Sequence, residues 1–263
     1  MLAAERRDSI RETLETDGRV LVADLSRRFS VSEETIRRDL ERLEEEGFAR
    51  RFYGGASYLG ERELPFDIRK RANVAGKQRI GRLLAGLIPD GASLIMDESS
   101  TAVFAAQALR EKKDLTIVTN SLELTVSLAD KTDWHLFLTG GLLRGESLSM
   151  TGTRTEQFLE DLHADYVVLS CSGLDRNWGF ADSREEDVRF KRAMLRSADK
   201  AILAADRSKF DRRPLVRIGE WKELFAVVTD FEPDEEWKKT LREAGVILIC
   251  DTVPAAEAGD GRK

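Results

Sequence analysis

The first 57 residues show apolar positions spaced for three short helices followed by a hairpin. The first helical pattern ends at Gly18, and the third begins after Ser32, a residue type that caps helix N-termini. The apolar faces of the three helices are formed by Ile10 and Leu14, by Leu21, Leu25 and Phe29, and by Ile36, Leu40 and Leu43. The stretch "FARRFYGGASYL" then predicts two short strands joined by a tight turn. This order of elements predicts a winged helix-turn-helix.

The rest of the chain has a different pattern. Residues 58–72 are charged and weakly periodic, which predicts a linker. Beyond them, helical patterns near 75–88, 100–111, 121–130, 153–163, 184–198 and 234–244 alternate with apolar runs: "SLIMD", "LTIVTN", "WHLFLTG", "DYVVLSCSG", "KAILAAD", "LFAVVTD" and "VILIC". Runs that are apolar on both faces and separated by helices indicate a parallel sheet covered on both sides. We therefore expect an α/β protein, with a winged helix-turn-helix at 1–57 joined to a larger Rossmann-like domain at 73–253 and a disordered tail at 254–263.

Composition excludes several classes of protein. The net charge is −6, so overall charge gives no support for nucleic-acid binding, and such a function needs a local patch. No stretch resembles a signal peptide or approaches the roughly 20 apolar residues of a membrane span, so we expect a cytoplasmic protein without a membrane partner. Cys171 and Cys250 each lie in an apolar run and His135 and His163 are far apart, which favours core thiols and predicts neither a disulfide, a metal nor a cofactor.

The polar face of the third helix predicts contact with DNA. Its N-terminal half, the half that enters the major groove in such modules, carries Ser32, Glu33, Thr35, Arg37 and Arg38. Arginine can bond to a guanine edge or a phosphate, and Arg50 and Arg51 of the wing are placed to reach the DNA backbone. The alternative for Arg37 and Arg38 is a solvated face that pairs with nearby glutamates. The coincidence with a helix start, a preceding helix-turn and a basic wing favours DNA.

Charge is the weaker part of this prediction. Residues 1–57 contain 11 Arg and 13 Asp or Glu, a net charge of −2. Glu44, Glu45 and Glu46 lie at the far end of the third helix, so we expect acidic and basic groups to be segregated along it.

Small or polar residues end each predicted strand of the larger domain. They include Asp97, Ser99, Ser100, Thr101, Thr119, Asn120, Ser121, Gly140, Gly141, Ser170, Ser172, Gly173 and Asp206. In an open parallel sheet, ligands bind beyond the carboxyl ends of the strands, and helix starts bind anions. The carboxylates available to accept from hydroxyls are Asp97, Asp182 and Glu186, and the cations available to neutralise a phosphate are Lys77, Arg144, Lys191 and Lys209. We expect a small, polyhydroxylated, anionic ligand, against the alternative that these residues are helix caps, turns and surface pairs.

The stretch "RVLVADLSRRFSVSEETIRRDLERLEEEGFARRFYGGA" resembles the N-terminal module of the DeoR family of bacterial transcription regulators. Tyr53 stands where this family usually has His before the two glycines, and we include it among the expected wing contacts. The resemblance continues through "PFDIRKRANVAGKQRIGRLLAGLI" to "VILIC", which is nearly the whole chain.

The resemblance implies a sensor domain similar in fold to ribose-phosphate isomerases, glucosamine-phosphate isomerases and CoA transferases. It implies a phosphate loop at Asp97, Ser99, Ser100 and Thr101, a Thr-Asn-Ser step at Thr119 to Ser121, a Gly-Gly…Arg…Ser segment at Gly140 to Ser149, and further positions at Glu186, Lys191, Asp206, Ser208 and Lys209. The chain departs from the family pattern at Ser170 and Cys171 and at Ala181 before Asp182, near the expected sugar end of the pocket.

The expected function is a repressor of a sugar-catabolism operon, controlled by a phosphorylated sugar. Its expected partners are a double-stranded DNA operator, the sugar phosphate and further copies of the same chain, as a dimer or tetramer. One rival is an isomerase-like enzyme fused to a DNA-binding module, with Asp182 and Glu186 as a general-base pair. In the expected function, no residue is catalytic. A second rival is an architectural DNA-binding protein with an inert oligomerisation domain.

Overall fold

The computed structural model describes residues 3–17, 19–58 and 66–251. Contacts along the chain divide it into two compact units, Met1–Asn73 and Val74–Lys263. Each unit has its own apolar core. Within the described ranges, every helix is too short or too polar to cross a membrane.

The first unit is a three-helix module followed by a hairpin, as predicted. Its elements are α1 (Ala3–Asp17), β1 (Arg19–Leu21), α2 (Val22–Phe29), α3 (Glu33–Glu45), β2 (Ala49–Phe52), β3 (Gly55–Tyr58) and α4 (Phe66–Arg71). Strands β2 and β3 pair antiparallel and form the hairpin, which we call the wing. Strand β1 pairs with β3 and completes a three-stranded sheet.

Strand β1 corrects the prediction for the second helix. Leu21 was placed on the apolar face of that helix, but it lies in β1 opposite Gly55 and its side chain is 46% exposed. Helix α2 begins at Val22, and the buried residues are Val20, Val22 and Leu25. Alternation along a short strand, in which successive side chains point to opposite faces, therefore replaces helical spacing here.

Part of the predicted linker is regular. Tyr58 ends β3, and residues 66–71 form the one-and-a-half-turn helix α4, in which Phe66 is buried. Asp67 in the first turn and Arg69 to Arg71 in the last turn suit the helix dipole. A six-residue helix is too short to show a periodic apolar pattern. Residues 59–65 and the predicted tail at 254–263 lie outside the described residues.

The second unit is built on seven parallel strands, as predicted. They are β4 (Ser93–Met96), β5 (Thr116–Thr119), β6 (His135–Leu138), β9 (Ala164–Leu169), β12 (Ala198–Ala204), β14 (Ala226–Thr229) and β15 (Ile247–Cys250). The helices between them are α5 (Val74–Ala85), α6 (Ser100–Ala108), α7 (Leu122–Leu128), α8 (Thr153–Gln157), α9 (Glu185–Arg196) and α10 (Glu235–Glu243). The strands carry continuous apolar runs because helices cover both faces of the sheet.

The strand order creates a switch point in the middle of the sheet. The order is β15-β14-β12-β9-β4-β5-β6, and each neighbouring pair is parallel. The chain starts at β4, proceeds outward to β6, and then returns to the other side of β4 with β9. The loops that follow β4 and β9 therefore diverge, and in open α/β sheets a switch point of this kind is where ligands bind.

Two small antiparallel sheets were not predicted. One is the hairpin of β7 (Leu142–Arg144) and β8 (Ser149–Thr151), and the other contains β10 (Gly173–Asp175), β11 (Gly179–Asp182) and β13 (Val216–Gly219). Each strand has three or four residues, which is too few for a period-two pattern to be distinguished from a loop. Both sheets carry residues of the predicted ligand site, Arg144 in one and Asp182 in the other.

Candidate nucleic-acid interface and ligand site

A tight turn sets the start of α3. Ser30 ends α2 in the left-handed conformation (φ 53°), and the Ser26 hydroxyl donates to the carbonyl of Val31 over 2.6 Å. The Ser32 hydroxyl then accepts from the backbone N–H of Thr35 over 3.2 Å, which confirms the predicted N-cap. The polar N-terminal half of α3 follows directly from this cap.

The outer face of α3 presents its arginines in weak ion pairs. Arg37 lies 2.6 Å from Glu33, and Arg38 lies 3.4 Å from Glu34, each four residues apart on the helix. All four side chains are at least half exposed. Such pairs are worth about 0.3–0.5 kcal/mol, so a DNA phosphate or base can replace the glutamate. The solvated-pair alternative therefore describes the unbound surface and is compatible with DNA binding.

The inner face of α3 is held by apolar packing and one buried ion pair. Ile36, Leu40 and Leu43 enter the core. Asp39, also buried, accepts from Arg6 of α1 over 2.5 Å (Nε to Oδ2) and 3.2 Å (Nη2 to Oδ1). A two-bond contact of this kind fixes the rotation of α3 and so fixes which side chains face outward.

The wing differs from its prediction at Arg51. This side chain was expected to reach DNA phosphate, but its Nε donates to Glu44 over 2.7 Å and its Nη2 lies 3.5 Å from Glu41, both on α3. Arg50 is exposed, and Tyr53 at the tip of the wing is fully exposed. Sequence spacing could not reveal the Arg51 contact, because it joins residues from two elements.

In the second unit, a buried charge cluster occupies the switch point. The Asp97 carboxylate, after β4, accepts from the backbone N–H of Ser170, after β9, over 2.8 Å and from the Ser99 hydroxyl over 2.6 Å. Lys191 of α9 lies 3.3 Å from Asp97 and 2.5 Å from Asp182, and it donates to the Ser170 carbonyl over 2.9 Å. Lys191 was expected to neutralise a phosphate, but its charge is already matched by two carboxylates.

Burial and pairing shift the ionisation of this cluster in defined directions. Burial raises the pKa of Asp97, although Lys191 opposes the shift. Burial alone disfavours the charged form of Lys191, but Asp182 and Asp97 outweigh it and raise the pKa of Lys191 well above its usual range. Lys191 is therefore a permanent cation at physiological pH. Burial also raises the pKa of the Cys171 thiol to about 12, in keeping with the predicted core thiol.

Asp182 and Gly173 lie beside this cluster, with different roles. The Ser172 hydroxyl donates to Asp182 over 2.6 Å, so Ser172, Asp182 and Lys191 form one connected network. A Cβ at Gly173 would lie 2.5 Å from the Pro214 ring and 2.7 Å from the Arg212 carbonyl. Close packing therefore accounts for this glycine without any ligand.

Glu98 is a site residue that the sequence analysis missed. It is buried, and its Oε2 accepts from Asn120 Nδ2 over 3.0 Å. The same Nδ2 donates to the Met150 carbonyl over 3.2 Å, while Asn120 Oδ1, also buried, accepts from none of the described residues. The signal was present in the sequence as two adjacent acidic residues after β4, but only the strand order places the second one against β5.

Helix α5, which carries Lys77, packs on α6. Gly81 of α5 packs on α6, since a Cβ there would lie 2.8 Å from the Phe104 carbonyl. Lys77 precedes Gly81 by one turn, Ser100 precedes Phe104 by one turn, and Lys77 is close enough to Asp206 to affect its pKa. Helix α5 therefore packs on α6 at Gly81, and Lys77 is a buried residue one turn before that contact. The hydroxyls of Ser100 and Thr101 form no hydrogen bond with any described residue.

A second lysine joins this region from β12. Asp206 follows β12 and accepts from the Ser208 N–H over 2.9 Å, in a short turn that also carries Lys209. Burial opposes ionisation of Asp206, but Lys209, the Ser208 bond and Lys77 together lower its pKa. Lys77 and Lys209 therefore both act on the Asp206 carboxylate.

Two further predicted residues have structural roles at β5 and α7. The Thr119 hydroxyl accepts from the Ser121 N–H over 3.0 Å, and the Ser121 hydroxyl accepts from the Leu124 N–H over 3.1 Å. Both side chains are buried, and Ser121 caps α7. Of the predicted Thr-Asn-Ser step, Asn120 alone has an unused buried polar atom among the described residues.

The Gly140–Gly141 turn leads to an arginine that is held by carboxylates. Gly141 has φ 115°, and a Cβ there would lie 2.3 Å from the Thr155 hydroxyl, so packing requires this glycine. Arg144 was expected to neutralise a phosphate, but it pairs with buried Asp187, donates to Ser147 over 2.7 Å and lies 3.7 Å from Glu186. Glu186 is mostly exposed, and no contact joins it to Asp182 among the described residues.

Both units match models of a single protein family. The DeoR-like helix-turn-helix domain matches residues 6–62, and the DeoR C terminal sensor domain matches residues 72–231. These matches confirm the resemblance stated from the sequence, and the order of the two domains agrees with the predicted architecture.

Relatives match over the full chain. The HTH-type transcriptional regulator YulB of Bacillus subtilis (strain 168) is 36% identical over 261 residues, which cover 98% of this chain and 100% of that protein. A glycerol-3-phosphate regulon repressor of Escherichia coli (strain K12) is 34% identical over 252 residues, which cover 95% and 100%. Among solved structures, ribose 5-phosphate isomerase A of Methanocaldococcus jannaschii gives a TM-score of 0.37 at 13% identity, covering 51% of this chain and 53% of that one.

Replacing Lys191 tests the buried cluster. Lys191→Met leaves Asp97 and Asp182 buried without their cation, and we expect it to lower the free energy of unfolding by about 3–5 kcal/mol at pH 7. The loss should shrink as the pH falls and Asp97, whose pKa is raised by burial, becomes protonated. Urea unfolding followed by tryptophan fluorescence measures both effects. A loss no larger than that of Lys239→Met, an exposed helical lysine, would contradict the role given to Lys191.

Proposed function

This chain belongs to the DeoR family of transcription regulators, and we propose that an anionic, polyhydroxylated ligand at the carboxyl edge of its sheet controls how it binds operator DNA. Family membership rests on the two domain models and on a relative 36% identical over almost the whole chain. As a member of this family, the chain is a DNA-binding transcriptional regulator with a sensor domain. The identity of the ligand, the residues that bind it and the assembly of the chain are the proposal.

The proposed DNA contacts come from the exposed N-terminal half of α3 and from the wing. On α3 they are Ser32, Glu33, Thr35, Arg37 and Arg38, and on the wing they are Arg50 and Tyr53. Support comes from the exposure of these side chains and from the weak, exchangeable pairs of Arg37 and Arg38. The other acidic groups of α3 are engaged elsewhere: Asp39 with Arg6, Glu41 and Glu44 with Arg51, and Glu45 with Arg42.

The observation that carries the ligand proposal is the pairing of two lysines with open hydroxyls. Lys77 lies in α5, which packs on α6, Lys209 lies beyond β12, and both lower the pKa of Asp206. Ser100 and Thr101 offer hydroxyls, and the start of α6 adds the positive end of a helix dipole. We assign the anionic group of the ligand to this place, at the start of α6 and near Lys209 and Lys77.

The hydroxyl groups of the ligand are assigned to the acidic side of the same edge. Glu98 makes one hydrogen bond, to Asn120, and Asn120 Oδ1 makes none with the described residues. A buried acceptor without a donor costs about 1–3 kcal/mol, which a donor on a ligand would recover. Asp97 and Asp182 stand beside them. This division, with cations at one end and acceptors at the other, fits a phosphorylated sugar or polyol, and the relative named as a glycerol-3-phosphate regulon repressor supports that class.

We propose that the regulator is a repressor which the ligand releases from DNA. Such a ligand changes operator affinity only by binding one state of the protein more tightly than the other. The site gives little support to the alternative of an enzyme. Asp182 and Glu186 make separate contacts and do not contact each other as a pair of general bases would. Isomerase assays on phosphorylated sugars test that alternative. Because the operator is chromosomal DNA, we place the protein in the cytoplasm.

We propose that copies of the chain associate through the β6 edge of the sheet. Strand β6 has no strand neighbour beyond it among the described residues. Large apolar side chains are exposed on it and on the elements next to it: Val126, Phe137, Leu142 and Leu143. An open apolar edge is a liability that proteins ordinarily cover. A second copy of the chain would cover this edge. The dimer would then carry two helix-turn-helix units for a repeated or palindromic operator.

Arginine substitutions test the DNA surface. We expect Arg38→Ala to weaken binding to a duplex selected from a random library by about 1–3 kcal/mol if Arg38 contacts a base, with relaxed specificity at one position. A uniform loss on all duplexes would indicate a phosphate contact. Arg189→Ala is the matched control. Arg189 lies in the other unit and pairs with Glu185, four residues before it on the same helix, as Arg38 pairs with Glu34. Equal fluorescence-anisotropy titrations for wild type and Arg38→Ala would contradict the assignment.

Ligand stabilisation tests the anion site. In a thermal-shift panel of phosphorylated sugars, we expect one class to stabilise the wild-type chain by about 2.7 kcal/mol at a hundred times its Kd. Lys209→Ala and Thr101→Ala should abolish this shift while DNA affinity in the absence of ligand stays the same. Lys239→Ala should keep the shift. No response to any phosphorylated sugar, or an undiminished response in both site variants, would contradict the proposed site.

The edge strand gives a prediction for assembly. We expect Leu142→Asp to convert an oligomer into a monomer, because the carboxylate would be buried at an apolar interface. Light scattering coupled to size-exclusion chromatography measures the mass. Leu215→Asp is the control, since Leu215 is equally exposed but precedes β13, away from the β6 edge. An unchanged oligomer in Leu142→Asp would place the interface elsewhere.

A further inference from the structure

One carboxylate ties the wing to α3 by two bonds. Glu44 Oε1 accepts the backbone N–H of Arg51 over 2.8 Å, and Glu44 Oε2 accepts Arg51 Nε over 2.7 Å. Glu44 lies in the last turns of α3, and Arg51 lies in the middle of β2. Because one bond holds the main chain of the wing and the other holds its side chain, the pair fixes both the distance and the orientation of β2 relative to α3.

The opposite side of the wing is held by a close backbone fit. The N–H of Val22 donates to the Gly54 carbonyl over 2.9 Å, and Gly55 pairs with Leu21 of β1. A Cβ at Gly55 would lie 2.2 Å from the Val20 carbonyl, so the sheet closes on this strand without spare room. The wing is therefore anchored to β1 along one strand and to α3 along the other.

The anchored hairpin presents an aromatic tip. Tyr53 is fully exposed, and Phe52 is about half exposed. Exposed apolar side chains that form a contiguous patch mark an interaction site, and these two aromatic residues are neighbours on the wing. In a DNA-binding module the position of this tip relative to α3 decides whether both can touch one duplex, because the grooves have fixed spacing.

We propose that Glu44 and Arg51 are positioning residues for DNA recognition: together they hold the wing at the angle to α3 that lets the Tyr53 tip and the α3 arginines engage the same duplex. Neither residue contacts DNA in this arrangement. The inference uses the DNA-binding function of the family and is independent of the ligand site.

The competing view is that Arg51 leaves Glu44 and contacts phosphate. The two views predict opposite signs for Glu44→Gln. Removing a negative charge from a surface that meets a polyanion should leave affinity unchanged or increase it if electrostatics alone matters. If the carboxylate positions the wing, its loss should weaken binding. Arg51→Lys separates them again, because lysine can reach a phosphate but cannot reproduce the fixed Nε bond.

The experiment measures binding of the full-length chain to a duplex selected from a random library with wild-type protein, over salt from about 50 to 200 mM. We expect Glu44→Gln and Arg51→Lys each to weaken binding about three- to tenfold, and the double variant to be no weaker than the poorer single variant. The slope of log affinity against log salt should stay the same. Glu45→Gln is the control: it removes the same charge from a glutamate that pairs with Arg42 and not with the wing, and it should not weaken binding.

Unchanged or tighter binding by Glu44→Gln would overturn the proposal. So would full affinity in Arg51→Lys, or a slope lowered by about one in Arg51→Gln, which marks a lost phosphate contact. Coupling to Tyr53 keeps the test decisive if a variant is less stable. Tyr53→Ala should weaken binding in the wild-type background but not in Glu44→Gln, where the tip is already misplaced. Equal losses in the two backgrounds would overturn the proposal as well.

Discussion

The hydrogen bond between Asp97 and the backbone of Ser170 joins the two halves of the sheet where the chain reverses direction. Asp97 follows the first strand, β4, and Ser170 follows β9, which returns to the other side of β4. Lys191 closes the same contact through Asp97, Asp182 and the Ser170 carbonyl. The proposed acceptors Glu98 and Asn120 follow β4 and β5 on one side of this point, and Lys209 follows β12 on the other. The cluster supports the site structurally. Asp97 and Lys191, which were expected to bind ligand, therefore serve mainly to hold the two halves of the sheet together.

Charge is distributed by the same logic in the DNA-binding unit. Residues 1–57 have a net negative charge, yet the acidic groups of the inner face and far end of α3 are engaged by Arg6, Arg42 and Arg51. What remains outward at the start of α3 is a set of weak pairs that a polyanion can break. A module can therefore bind DNA without an overall basic charge, provided that its acids have internal partners.

Most of the helices and strands could be predicted from the sequence, because they depend on local patterns of apolar and polar residues. The seven apolar runs, the helices between them and the Ser32 cap all follow from periodicity and residue type, and the structure confirms them. Three things could not be read locally. Strand β1 displaced Leu21 from a predicted helix because a three-residue strand and a helical start look alike. The carboxylates that pair with Arg51, Arg144 and Lys191 come from other elements. These pairs could be predicted only once the strand order and the positions of the hairpins were known. Glu98 gained its partner, Asn120, only when β5 was placed beside β4.

The central claim is that the carboxyl edge of the sheet is divided into a cationic end and an acceptor end that together bind one anionic polyol. The most direct measurement is a crystal structure of the chain with a phosphorylated sugar that stabilises it. The account predicts the phosphate between Lys77, Lys209 and the Ser100–Thr101 start of α6, with the sugar hydroxyls directed to Glu98, Asn120 and Asp97. A phosphate bound at Arg144 or Lys191 instead, with the lysines and α6 untouched, would contradict it.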